Sequence, residues 1–98
     1  MTTWFVSRHP GAIEWAKRHA VSVDQQVPHL DVQQVSNGDT VIGTLPVNLA
    51  AMVCAKGAHY RHLALQVPAH WRGVELSADQ LDTLDAQLQE YTIIPVDS

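Results

Sequence analysis

WFVSRHPGAIEWA at residues 4–16 and GDTVIGTLPVNLAAMVCAKGA at residues 38–58 decide how this chain folds. Both run from a short apolar strand through a tight turn and a proline into a helix. TWFVS, Thr3 to Ser7, is a continuous apolar run of the kind covered on both faces of a sheet. Pro10 opens a helix reaching about Ala20, because a missing N–H costs nothing at the first helical position. Ile13, Ala16 and Ala20 give that helix its expected apolar stripe. The second unit repeats the pattern with TVIGT, Thr40 to Thr44, and a helix started by Pro46. Gly57 is its natural stop, and Lys56 lies beside it to meet the helix dipole. This second helix is apolar nearly all round, so it is expected to be buried between the sheet and another body.

Outward from these units, a weaker strand is expected over about Gln25 to Leu30. Pro28 cannot donate to a ladder and places it at a sheet edge. Ser36-Asn37-Gly38 marks a turn. A fourth strand spans about Tyr60 to Val67, and Ser77 with Gln80 forms a capping box. The third helix then reads to about Glu90, with Leu81, Leu84 and Leu88 as its stripe, and YTIIPV at residues 91–96 reads as a fifth strand. Alternating strands and helices imply an α/β, Rossmann-like three-layer sandwich with a mainly parallel sheet. An edge position for strand two predicts the order 2-1-3-4-5. The chain then reverses direction between strands one and three, and ligands bind at their carboxyl ends.

Composition bounds the rest. Ninety-eight residues, 46% apolar and 16% charged, suit one globular domain over residues 1–98. No apolar run approaches a membrane span, and Arg8, Glu14, Lys17 and Arg18 interrupt any signal-peptide segment. The single cysteine, Cys54, fits a reducing compartment and an apolar helix core, so a cytoplasmic protein is expected. The net charge of −4 argues against a binder of long nucleic acid. Six of the ten acids follow Gly73 with no Lys or Arg among them, leaving six basic against four acidic side chains in residues 1–72. That larger part is suited to a small anion.

The candidate site residues are those the two strand-to-helix turns bring to one edge. Ser7-Arg8-His9-Pro10-Gly11 and Gly43-Thr44-Leu45-Pro46-Val47-Asn48 should both present backbone N–H groups and a positive dipole end. Gly11 and Gly43 would let a ligand approach the backbone. Arg8 offers a bidentate phosphate contact or is a surface arginine. His9 offers proton transfer or is a polar helix cap. Asn48 either orients a ligand hydroxyl or sits idle in the first helical turn, and Thr44 reads as a helix cap. Trp71 and Arg72 either stack on a base and grip a phosphate, or pack on the domain surface. His59 and His62 fall on opposite faces of a strand, while His19, His29 and His70 have no partner at ligand spacing. No metal motif, GxGxxG or P-loop is present, so neither a metal nor any other cofactor is expected.

Residues 4–16 and 38–58, with RGVEL at 72–76, resemble the small CRISPR-associated ancillary proteins of type III systems, now regarded as ring nucleases. The resemblance spans most of the chain and is weakest in residues 18–36 and after 85. It implies a Rossmann-like homodimer that opens cyclic oligoadenylates, chiefly the four-membered ring, and so switches off an antiviral signal. It also implies metal-independent cleavage by the substrate's own 2′-hydroxyl, leaving linear products with 2′,3′-cyclic phosphate. A binding module that sequesters the ring intact would use the same anion site. In-line attack needs alignment, charge stabilisation and a proton for the leaving oxygen. Arg8 and His9 are the catalytic candidates for those tasks. Ser7, Gly11, Gly43, Thr44, Asn48 and Arg72 are the ligand-binding candidates.

Overall fold

The computed structural model describes residues 1–66, 69–71, 73 and 75–96. Five strands form one sheet in the order β2-β1-β3-β4-β5, as the edge proline predicted. β1 (Thr3–Val6), β2 (Gln25–Val27), β3 (Thr40–Gly43) and β4 (His59–Ala64) run parallel, and β5 (Gln87–Tyr91) pairs antiparallel with β4. An antiparallel edge strand on a parallel core is common, because parallel strands need crossovers and an edge strand does not. Pro28 ends β2 rather than interrupting it.

Helices cover both faces. α1 (Pro10–Arg18) and α3 (Ala78–Thr83) bury Phe5, Ile42 and Leu63 together with Ala12, Trp15, Ala16 and Leu81. On the other face α2 (Val47–Ala55) and a 3₁₀ turn at Val32–Gln34 cover Trp4, Val41 and Tyr60 with Val35, Ala50 and Val53. Period-two alternation explains the division, since Phe5 and Trp4 are neighbours that point to opposite faces. His59 and His62 separate by the same rule. His59 Nδ1 lies 3.2 Å from Glu90 Oε2, whereas His62 Nδ1 meets the Tyr60 hydroxyl at 2.7 Å.

Several boundaries move. Pro10 does open α1, but the helix stops at Arg18 and Ala20 turns out of it at φ 54°. Its buried face is therefore Ala12, Trp15 and Ala16, and Ala20 is exposed. Pro46 is the cap of α2 rather than its first residue. Lys56 is the C-cap of α2, as expected, and its ammonium donates to the Val32 carbonyl at 2.6 Å.

Ser77 and Gln80 form the predicted capping box on α3, a device worth about 1 kcal/mol. That helix ends at Thr83, not near Glu90, and the fifth strand is residues 87–91 rather than 91–96. Asp85 supplies the break at φ 56°, a conformation Asp tolerates, and the Ala86 N–H closes the turn onto the Leu81 carbonyl at 3.0 Å. Leu88 then reaches the core by strand alternation opposite Leu63. The third leucine of the stripe is thus real as core and misread as helix. Val67, the expected end of strand four, lies outside the described residues.

α2 differs most from expectation. It buries Ala50 and Val53, while Val47 is 69% and Met52 50% exposed. Cys54 is half-buried rather than core, and its sulfur accepts from the Ile93 N–H at 3.4 Å where the C-terminal segment crosses the helix. The acids of α3 do more than face solvent: Asp79 pairs with Arg18, and Asp82 lies 2.6 Å from His19 Nε2, joining α3 to α1. At the amino ends of the strands, buried Asp39 accepts from the N–H groups of Thr2 and Ser36 at 2.9 Å and from Trp4 Nε1 at 3.2 Å. Those bonds, Ser36 first, hold its carboxyl below the ordinary range. No helix among the described residues is long and apolar enough to cross a membrane.

Candidate functional site

A cleft of about 640 Å³ opens at the carboxyl ends of the central strands. It lies where the strand order reverses, the place the doubly wound topology reserves for ligands. Ser7, Arg8, His9, Gly43 and Thr44 line it, so the structure brings these five candidates together. Its floor is apolar, with Leu45, Leu49, Leu63 and Leu81 among its residues. Polar groups at the lip over an apolar floor suit a ligand with a flat apolar part and a charged part.

Arg8 is exposed and has no ion-pair partner among the described residues. Lysine and arginine side chains elsewhere are partly spent: Arg18 on Asp79, Lys56 on a carbonyl. Arg8 therefore brings to the cleft a guanidinium without an ion-pair partner among the described residues. His9 occupies the N-cap of α1 yet its side chain makes no capping bond, so the polar-cap reading fails. Instead Ser7 Oγ accepts from the His9 N–H at 3.1 Å, and the His9 carbonyl receives the Ala12 and Ile13 N–H groups. The imidazole is left to the cleft, where Nδ1 lies 3.7 Å from Glu75 Oε1. With a carboxylate facing Nδ1, Nε2 is the nitrogen without a protein partner among the described residues.

The second turn is built differently from the first. Thr44 is exposed and caps nothing, because α2 begins after Pro46 without a side-chain cap. The turn is held from below by Tyr60. Its hydroxyl accepts the Leu45 N–H at 3.0 Å, donates to the Gly43 carbonyl at 3.2 Å and lies 2.7 Å from His62 Nδ1. With its single proton on the Gly43 carbonyl, the hydroxyl keeps a lone pair for the tautomer protonated at Nδ1. Burial raises the phenol above its ordinary range, so it stays protonated in this role. The expectation of free backbone donors at both turns is met only in part. The His9 and Leu45 N–H groups are occupied, while those of Val47, Asn48 and Leu49 find no partner among the described residues.

The two glycines have packing reasons. A Cβ on Gly11 would lie 1.9 Å from the Leu76 carbonyl oxygen, so the missing side chain admits the residue 76–77 backbone rather than a ligand. A Cβ on Gly43 would lie 2.7 Å from the Val6 carbonyl oxygen, which fixes the close approach of β3 to β1 at the cleft floor. Asn48 is exposed in the first turn of α2 and is not among the cleft residues. Arg72 lies outside the described residues, and Trp71 belongs to a 3₁₀ turn at Ala69–Trp71.

Glu75 and His29 line the cleft and were not among the candidates. Neither has a local signal, since Glu75 follows a long loop and His29 follows an edge strand. Among the described residues no three His, Cys, Asp or Glu side chains converge as a metal-binding group.

Fold and cleft together define a doubly wound, Rossmann-like α/β protein whose open crevice sits at its topological switch point, lined by Arg8, which has no ion-pair partner among the described residues, and by His9, whose side chain makes no capping bond. The chain belongs to the family described as "Putative CRISPR-associated protein (Cas_VVA1548)", whose profile matches residues 4–94. No curated protein and no solved structure matches it.

Proposed function

We propose that this CRISPR-associated protein is a ring nuclease that cleaves cyclic oligoadenylate, chiefly cyclic tetra-adenylate, without a metal and so ends an antiviral signal. The observation that carries the reading is the meeting at one cleft of Arg8, without an ion-pair partner among the described residues, and His9, whose side chain caps nothing. Arg8 would hold a phosphate through two parallel charge-assisted bonds, and the α2 N-terminus adds positive potential beside it. The apolar floor would receive adenine faces. His9 Nε2 would give its proton to the leaving oxygen after 2′-hydroxyl attack.

The working form is read as a two-fold homodimer in the cytoplasm. One shallow cleft cannot surround four nucleotides, and an isologous pair would place two clefts about one axis. Exposed Val47 and Met52 on α2 offer apolar surface for such a contact. Sedimentation at assay concentration checks this, and full activity from a monomer would refute it.

Incubation with cyclic tetra-adenylate in EDTA, followed by chromatography, tests the chemistry. The expected products are linear and end in 2′,3′-cyclic phosphate. Tight binding with the ring intact would make the protein a sponge for the same ligand. Activity lost in EDTA and restored by Mn²⁺ or Mg²⁺ would refute the metal-free step.

A further inference from the structure

A 2′-hydroxyl that attacks phosphorus must lose a proton, and the leaving 5′-oxygen must gain one. His9 accounts for only the second transfer. In-line displacement puts the attacking and leaving oxygens on opposite sides of phosphorus, so one side chain does not reach both. A second proton carrier is needed across the cleft.

The cleft holds one. His29 lines it, is exposed, and makes no hydrogen bond or ion pair among the described residues. It approaches from the other layer of the sandwich. The loop after β1 carries His9 into α1, on the face shared with α3. The loop after β2 carries His29 toward the Val32–Gln34 turn, and its neighbour Leu30 packs on the α2 face with Val35. β1 and β2 are adjacent parallel strands, so both loops leave the sheet at the same edge and diverge to opposite sides of it. Among the described residues, the charged and titratable side chains sharing the cleft with His29 are Arg8, His9 and Glu75. Glu75 lies 3.7 Å from His9 Nδ1, on the His9 side of the cleft, whereas His29 has no partner among the described residues.

We infer that His29 is the general base of the proposed ring-opening reaction and His9 its general acid. The inference rests on the ring-nuclease reading. His29 takes the 2′-hydroxyl proton as the O2′–P bond forms. The P–O5′ bond breaks, and His9 delivers its proton to O5′. His29 ends protonated and His9 neutral, and proton exchange with water restores both. Two imidazoles with opposite protonation requirements give a bell-shaped rate profile.

Single-turnover cleavage of cyclic tetra-adenylate and of its analogue with sulfur in place of each bridging 5′-oxygen separates the roles. A thiolate leaves without a proton, so it dispenses with the acid and not the base. His29→Ala and His29→Gln should each slow the oxygen ring by roughly 10²–10⁴-fold, keep the dissociation constant within a few-fold, and show the same loss on the sulfur ring. They should also lose the acidic limb of the pH profile. His9→Ala should recover on the sulfur ring. His29 variants that are rescued by sulfur, or that cleave the oxygen ring within a few-fold of wild type, overturn the assignment alone. A wild-type protein that leaves both rings intact defeats the ring-nuclease reading and this assignment with it.

Discussion

Removing the Tyr60 hydroxyl is the sharpest probe of how the cleft is held. Tyr60 is 3% exposed, and Tyr60→Phe changes nothing but the oxygen. The Leu45 N–H and the Gly43 carbonyl would each lose a partner now at 3.0 and 3.2 Å, whereas His62, partly exposed, can turn to water. Leaving a part-buried donor and a buried acceptor unpaired costs about 1–3 kcal/mol. In a domain of this size each kcal/mol lowers Tm by roughly 4–8 °C. The expected result is therefore a Tm lower by about 4–24 °C, with an unchanged urea m-value. Amide hydrogen exchange localises the cause: protection of the Leu45 N–H should fall more than that of β1 or the rest of β3. A stability change under about 0.5 kcal/mol, with Leu45 still protected, would show that the phenol does not hold the turn.

Gly11→Ala places a methyl against the Leu76 carbonyl at 1.9 Å, a backbone atom that cannot rotate away. It should destabilise by about 1–3 kcal/mol in urea titration, where an exposed helical Gly→Ala change would stabilise. Asp39→Asn tests the opposite end of the sheet. Because the folded carboxyl is held below its ordinary value, wild-type stability should be complete above about pH 4 and fall as pH drops through the lower folded value. The Asn variant should be less stable at neutral pH and lose that acid dependence when the urea midpoint is followed against pH. At the cleft, Arg8→Ala should weaken both ligand binding and turnover, by about 1.5–3 kcal/mol for a charge-assisted contact. His9→Ala should bind nearly as wild type and cleave roughly 10²–10⁴-fold more slowly, as dissociation constants and single-turnover rates will show.

What was legible in the residues themselves was whatever local rules decide. The prolines at 10, 28 and 46, the capping box at Ser77 and Gln80, and the apolar strands are signals carried within a few residues; Pro28 gave the strand order and the two proline-started turns the crevice. The place where α3 becomes β5 was not legible, because Leu81, Leu84 and Leu88 suit a helix. Only pairing of Leu88 with Leu63 across β4 selects the strand. The exposure of α2 was hidden likewise, since an apolar helix buries no more than the surface its neighbours offer. At the cleft, Arg8 and His9 could be read as adjacent residues in one turn. His29 and Glu75 could not, for each reaches the cleft only when the sheet brings distant loops to one edge. The chain by itself determined the two strand-turn-helix units and where strands one and three end. Tertiary packing decided which side chains meet there, because proximity across a sheet depends on register and layer, which no single segment carries.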